Sequence, residues 1–175
     1  MERYDEEIHL DGGPQHIEEQ SAEQRQNDIH RASFDRTGFW GARAAGCLFL
    51  AKSTGRIMFA HRSDEVKDPD LWSTFGGAID EGEDPATAVR REIEEETGYD
   101  GPVRMLPLAV FKHESGFRYF NFLAIVPEEF EPELNWENQD YAWVEYGNFP
   151  EPLHMGAVYL LNQSATAIKL AIKEM

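Results

Sequence analysis

The chain has 175 residues, 41% of them hydrophobic, which suits one domain of ordinary size with a real core. Sixteen Lys and Arg stand against 33 Asp and Glu, a formal charge of −17 at pH 7. A field of that sign disfavours non-specific attraction to nucleic acid or anionic membranes, and an anionic substrate would need local cations to offset it.

No apolar run approaches the length of a membrane span, and the first ten residues lack the basic and apolar regions of a signal peptide. Cys47 is the single cysteine, so no intrachain disulfide is expected. A reducing, cytoplasmic location is therefore the expectation. Residues 1–36 carry ten acids and four basic residues, with sparse and aperiodic apolar positions. They read as an acidic N-terminal arm, either flexible or ordered by packing on its own domain or on a second subunit, as in a homodimer. His9, His16 and His30 lie there without metal-ligand spacing, and no metal role is expected of them.

A second unit, residues 37–175, reads as the folded domain. Residues 43–52 fit a buried strand, Ser53-Thr54-Gly55 a turn, and residues 56–61 a second strand, together a hairpin. Residues 63–69 read as polar loop, and residues 71–75 as a short strand ending at Gly76-Gly77. Asp84 suits an N-cap, Pro85 the first helical position and Gly98 the residue past the end, which predicts a helix over residues 85–97. Its Ala86, Val89 and Ile93 share one apolar face. Residues 103–111 and 117–126 are strand candidates around a turn at His113 to Gly116, and residues 140–145 are another. An apolar helix over residues 158–172 closes the chain.

The predicted helix at residues 85–97 places Glu92, Glu95 and Glu96 on one turn, where they repel one another. A divalent cation removes the repulsion and makes the cluster a site for hard oxygen ligands, as Mg²⁺ or Mn²⁺ requires. A Glu-rich helix alone is commonly a solvated face. Here, however, Gly77, Glu83, Arg91, Glu92, Ile93, Glu95, Glu96, Gly98 and Tyr99 fill the pattern G-x5-E-x7-R-E-U-x-E-E-x-G-U, where U is apolar. Tyr99 is the loosest fit, an aromatic where aliphatics are usual.

That pattern is the signature box of the Nudix hydrolases, which the chain resembles over about Gly38 to the C-terminus. The resemblance implies an α/β fold, a mixed β-sheet sandwiched between α-helices (α/β/α). It also implies hydrolysis of a nucleoside diphosphate linked to another moiety, with Mg²⁺ or Mn²⁺ and a metal-activated water that attacks phosphorus. Glu95 and Glu96 would be the principal metal ligands, Glu92 a ligand or the base, and the Gly76 carbonyl a backbone ligand, glycine permitting close approach and unusual dihedrals. Arg91 is expected to fork onto Glu95, while Gly77 borders the substrate. Glu83 ties the loop down or joins a second metal.

Glu137 is the candidate proton acceptor and Glu92 its rival, although Glu137 also reads as one more acid in the stretch Glu128 to Glu151, which has eight acids and no Lys or Arg. Arg62 is expected to face the cleft and meet a phosphate, or else to be a surface arginine. Phe111, Tyr119, Phe120 and Trp136 suit either base stacking or the core, and His154 reads as structural.

The markers that separate substrates within the family are missing. Glu114 and Ser115 stand where ADP-ribose hydrolases carry proline, and Phe117 and Arg118 where dinucleoside polyphosphate hydrolases carry tyrosine. HRSDEVK matches only the start of the coenzyme A motif, and Phe75 replaces the proline common before the double glycine. A (deoxy)nucleoside triphosphate or a nucleotide sugar is the resulting expectation, and the acidic surface counts against capped RNA. The alternative is a catalytically silent, nucleotide-sensing module on the same fold; retention of every box glutamate favours the enzyme.

Overall fold

The computed structural model describes residues 20–175. Its elements run in the order α1 (Ala22–Thr37), β1 (Arg43–Ala51), β2 (Ile57–Arg62), β3 (Trp72–Ser73), β4 (Phe75–Ala78), α2 (Pro85–Thr97), β5 (Arg104–Lys112), β6 (Arg118–Val126), β7 (Asn138–Val144), α3 (Met155–Gln163) and α4 (Ala165–Lys173). None of the described helices is long and apolar enough to cross a membrane.

The hydrophobic run at residues 43–52 becomes the centre of a mixed sheet ordered β3-β2-β1-β6-β5. Strand β1 pairs in parallel with β6 along its whole length, and its other edge is shared. β2 takes Phe49 and Leu50, and β4 takes Ala44 to Cys47, both antiparallel. Both faces of β1 are covered, which is why its sequence is continuously apolar rather than alternating. Ala45, Cys47, Phe49 and Ala51 pack toward Val89 and Ile93 of α2. Leu48 and Leu50 pack with Leu160, Leu161 and Ile168 of α3 and α4. The expected α/β/α sandwich is thus observed, with α2 on one side of the sheet and the C-terminal helices on the other.

Three expectations need correction. The short strand ending at the glycine pair is two strands, and Gly76 and Gly77 lie inside β4, paired with Gly46 and Ala45. The C-terminal helix is broken at Ser164. A register shift between Pro107 and Val110 interrupts the β5–β6 ladder, and Ser164 Oγ accepts the Ala109 N–H at 3.0 Å while Asn121 Nδ2 donates to the Ala109 carbonyl at 3.0 Å. The helix break places a hydroxyl where the sheet lacks a partner.

The third correction concerns residues 22–37, which read as aperiodic and form α1. Only His30 and Ser33 are buried along it, so there is no apolar stripe to find. Its order comes from a capping box between Ser21 and Gln24, a C-terminal Gly38 at φ 81°, and polar contacts to its own domain. His9 and His16 lie outside the described residues.

Close backbone packing at β1 and β4 sets a sharp constraint. A Cβ on Gly46 would collide with the Tyr119 hydroxyl and the Phe75 carbonyl oxygen. Gly46→Ala is expected to destabilise the protein by about 3 kcal/mol or more, the upper end of overpacking costs, because a backbone oxygen cannot rotate away. Urea denaturation reads this directly, and a midpoint unchanged from wild type would refute the packing.

Candidate active site

Helix α2 begins and ends where its capping residues predict. Asp84 accepts the Thr87 N–H at 2.9 Å, Pro85 is the first helical residue, and Gly98 at φ 67° returns its N–H to the Glu94 carbonyl at 2.9 Å. The apolar stripe of α2 lies on the sheet, but it is shared: Glu92 and Glu96, one turn apart, are buried with Ala88, Val89 and Ile93. Tyr99 fills its box position by packing on Phe49 and Phe130 while its hydroxyl donates to the Pro102 carbonyl at 2.8 Å. An aromatic is suited there because its apolar body covers the core and its polar tip finds an acceptor.

Two carboxylates fit under the helix because β4 presents glycines to them. A Cβ on Gly77 would overlap Glu92 Oε1, and the Gly76 N–H donates to Glu96 Oε1 at 3.1 Å. Neither glycine has positive φ. Close approach, not unusual dihedrals, is what requires them, which corrects that part of the expectation.

Glu137 completes the cluster from the turn before β7. Asn135 Oδ1 accepts the Glu137 N–H at 3.0 Å, Asn135 Nδ2 donates to the Glu95 carbonyl at 3.3 Å, and Asn138 Nδ2 donates to Glu96 Oε2 at 3.4 Å. The turn is therefore pinned to α2. One carboxylate oxygen each from Glu92, Glu96 and Glu137 lies within 4.8 Å of the others. The side chain of Glu95 is 52% exposed and stands at the rim.

Burial is the main reason all three clustered acids hold protons more tightly than free glutamate. Glu92 is pushed up to about 7, with Arg91 opposing the shift and Glu95 and Glu137 adding to it. Glu96 is raised well above the usual range by burial, then by Glu137 and Glu92. Burial also raises Glu137, against the hydrogen bond from Asn135. The donor set is all oxygen, buried and crowded with like charge, and it fits a hard divalent cation such as Mg²⁺ or Mn²⁺.

Arg91 is the hinge of the arrangement, though its principal partner is not the expected Glu95. Its Nε and Nη2 form a fork on Glu83 at 3.0 and 2.9 Å. Nη1 donates to Glu92 Oε1 at 3.0 Å and reaches both Glu95 oxygens at a longer 3.4 Å. Nη2 also donates to the Ala78 carbonyl at 3.0 Å. Glu83 further accepts the Asp80 N–H at 2.8 Å, so its carboxylate ties down the loop before α2. Asp80, a variable position of the box, was not singled out from the sequence, and neither were Asn135 and Asn138.

Arg62 folds back on the loop that follows β2, where Nε donates to the Asp68 carbonyl at 3.0 Å and Nη2 to the Lys67 carbonyl. Its charge still acts on Glu137 and His154. His154 caps α3 through Nδ1, which accepts the Gly156 N–H at 2.9 Å, so the proton sits on Nε2, 3.3 Å from Asp68. Burial is the first cause of its lowered pKa. Tyr119 is in the core, its hydroxyl against Gly46 and Gly76. Phe111 joins Phe39 and Tyr159, and Phe120 packs on the core. Trp136, beside Glu137, is 60% exposed.

The shifts give a signed pH dependence. Folded carboxylates with raised pKa bind protons that the unfolded chain, titrating near about 4.3, has already released. Their contribution is full below that value and lost as pH rises through the folded values, about 7 for Glu92. In EDTA, wild-type protein is expected to lose stability relative to Glu96→Gln as pH rises from 5 to 8, read as a falling urea midpoint. Mg²⁺ should stabilise wild type and not the variant. Parallel urea-unfolding curves at all pH values would contradict the cluster's electrostatics.

The sequence model of the NUDIX domain matches residues 41–163. Among curated proteins, the chain is 46% identical over 55 residues to Nudix hydrolase 7 of Arabidopsis thaliana, covering 31% of this chain and 20% of that one. It is 30% identical over 115 residues to the nucleoside triphosphatase NudI of Escherichia coli, covering 59% of this chain and 82% of that protein. The matches span 20%, 30% and 49% of the lengths of three other curated relatives, counting the plant protein. Among solved structures, a Nudix hydrolase from M. smegmatis, RenU, superposes with a TM-score of 0.64 at 26% identity, over 77% of this chain and 89% of that one. With the box complete and its helix, glycines and carboxylates assembled in one place, the chain belongs to the Nudix family.

Proposed function

We propose that the chain is a divalent-metal-dependent pyrophosphohydrolase that cleaves a nucleoside diphosphate linked to another moiety, with water attacking phosphorus. The observation that carries this reading is the buried trio Glu92, Glu96 and Glu137, whose oxygens lie within 4.8 Å of one another. Such a group is compatible with burial only when protonated or paired with a cation.

Glu92 and Glu96, with Glu95 from the rim and the Gly76 carbonyl, would hold Mg²⁺ or Mn²⁺. A cation bound there neutralises diphosphate charge and acidifies water. Glu137 faces the cluster from outside the helix and is the better proton acceptor, since Glu92 already accepts from Arg91. Its raised proton affinity moves it toward the range in which a general base works at neutral pH. Arg91 and Glu83 fix the loop and the orientation of Glu92. Gly77 leaves room for the Glu92 carboxylate beneath the site where substrate would bind, and Arg62 brings positive charge to the Glu137 side.

A (deoxy)nucleoside triphosphate is the first substrate class to test, because the relative covered over 82% of its length is a nucleoside triphosphatase. The reading places the protein in the cytoplasm, where the buried thiol of Cys47 stays reduced.

The test is a panel of (deoxy)nucleoside triphosphates, nucleotide sugars, ADP-ribose, dinucleoside polyphosphates and coenzyme A with Mg²⁺, run in ¹⁸O-water to locate the attacked phosphorus. At least one compound should be cleaved. Glu96→Gln should lower kcat by more than about 100-fold, beyond the effect of residues that only support ligands. Glu137→Gln should lower kcat at nearly constant KM. No cleavage of any panel member, or a wild-type rate in Glu96→Gln, would sink the proposal.

A further inference from the structure

The family match begins at residue 41, yet α1, which precedes it, reaches into the box. His30 is 5% exposed, and its Nε2–H donates to Asp80 Oδ1 at 2.9 Å. Gln26, one turn earlier on the same face of α1, accepts the Glu81 N–H at 3.2 Å. These contacts grip consecutive residues of the loop between β4 and α2.

The path continues to the carboxylates. Asp80 Oδ2 lies 3.6 Å from Arg91 Nη2, and the Asp80 N–H is held by Glu83, the partner of the Arg91 fork. One residue thus separates His30 from the guanidinium that holds Glu92. The imidazole is itself confined. The chain returns behind it, with the Gly41 N–H donating to the His30 carbonyl at 3.4 Å, and a side chain at Gly41 would press to 3.2 Å from Nδ1.

Packing alone does not account for this choice of residue. Among the described residues, His30 Nδ1 is buried and meets no hydrogen-bond partner, which is unfavourable. An apolar side chain would fill the space without that penalty, but would offer nothing to Asp80.

We propose that His30 is a positioning residue of the hydrolase. From α1 it sets Asp80 and, through Asp80 and Arg91, the orientation of Glu92 in the carboxylate cluster. This rests on the cation-binding reading of that cluster.

The test uses the full chain with His30→Phe, which keeps a ring and removes the donor, and His30→Gln, whose amide nitrogen reaches the place of Nε2. In metal-free protein, amide exchange across residues 78–84 is expected to accelerate in His30→Phe and return toward wild type in His30→Gln. Titrated with Mn²⁺, His30→Phe should bind about three- to tenfold more weakly, less than the 10–100-fold typical of residues that touch ligands, and His30→Gln should recover most of the loss. Unchanged exchange or Mn²⁺ affinity in His30→Phe overturns the proposal, and so does a His30→Gln variant that recovers neither. If His30→Phe does not fold, Asp80→Ala removes the link from the exposed loop and must give the same two changes for the proposal to stand. Wild-type protein that binds no Mn²⁺ would instead refute the cation reading, while the exchange data still decide whether His30 sets the loop.

Discussion

The burial of like charge beneath α2 is the constraint around which this structure is arranged. Glu92 and Glu96 occupy positions of the helix face that would ordinarily be apolar, and Glu137 is brought against them from a distant turn. Three carboxylates in a small, desolvated volume resist ionisation, and burial is the leading cause of the raised proton affinity in each. The protein holds them there with a large apolar sheet and with hydrogen-bond donors: the Gly76 N–H, Asn138 and Arg91. Sites that need perturbed carboxylates are commonly built in this way, with stability supplied by the surrounding core.

Room for that charge is made by the absence of side chains. β4 runs against β1 with Gly76 opposite Gly46 and Gly77 opposite Ala45, so the backbones and the Tyr119 hydroxyl come very close. The space left at Gly77 is the space that Glu92 fills. Here the packing of the sheet and the chemistry of the site are a single geometric requirement, and substitution at any of these glycines would disturb both.

The arginine works differently from a simple i,i+4 partner. Two of its three nitrogens run backward to Glu83 and Ala78, fastening the loop before α2, and only one turns to Glu92 and Glu95. Loop and helix are therefore one rigid unit. Arg91 is charged at any ordinary pH, and its hydrogen bond holds the Glu83 carboxyl below the usual carboxylate range, so the tie weakens only on acidification. Helix α1 adds a second fastening from outside the matched family region, through His30 and Gln26.

Much of this was legible in the chain because the signals are local. The limits of α2 follow from Asp84, Pro85 and Gly98, and the continuous apolar run at residues 43–52 announces a strand covered on both faces. The box residues identify the chemistry by type and spacing. What required the tertiary structure depends on contacts between distant segments. The partner of Arg91 is chosen by the path of the loop, the contrast between buried Glu96 and exposed Glu95 by which side of α2 meets the sheet, and the break at Ser164 goes with the Ala109 N–H that the β5–β6 ladder leaves free. Helix α1 has no apolar period, because polar contacts to the box rather than a hydrophobic stripe hold it in place. The sequence by itself determined the family and the residues proposed for its chemistry, since the types and spacings of the box are written locally. Only the tertiary structure decided which carboxylates share one buried volume, since burial and mutual distance arise only when segments forty residues apart pack together.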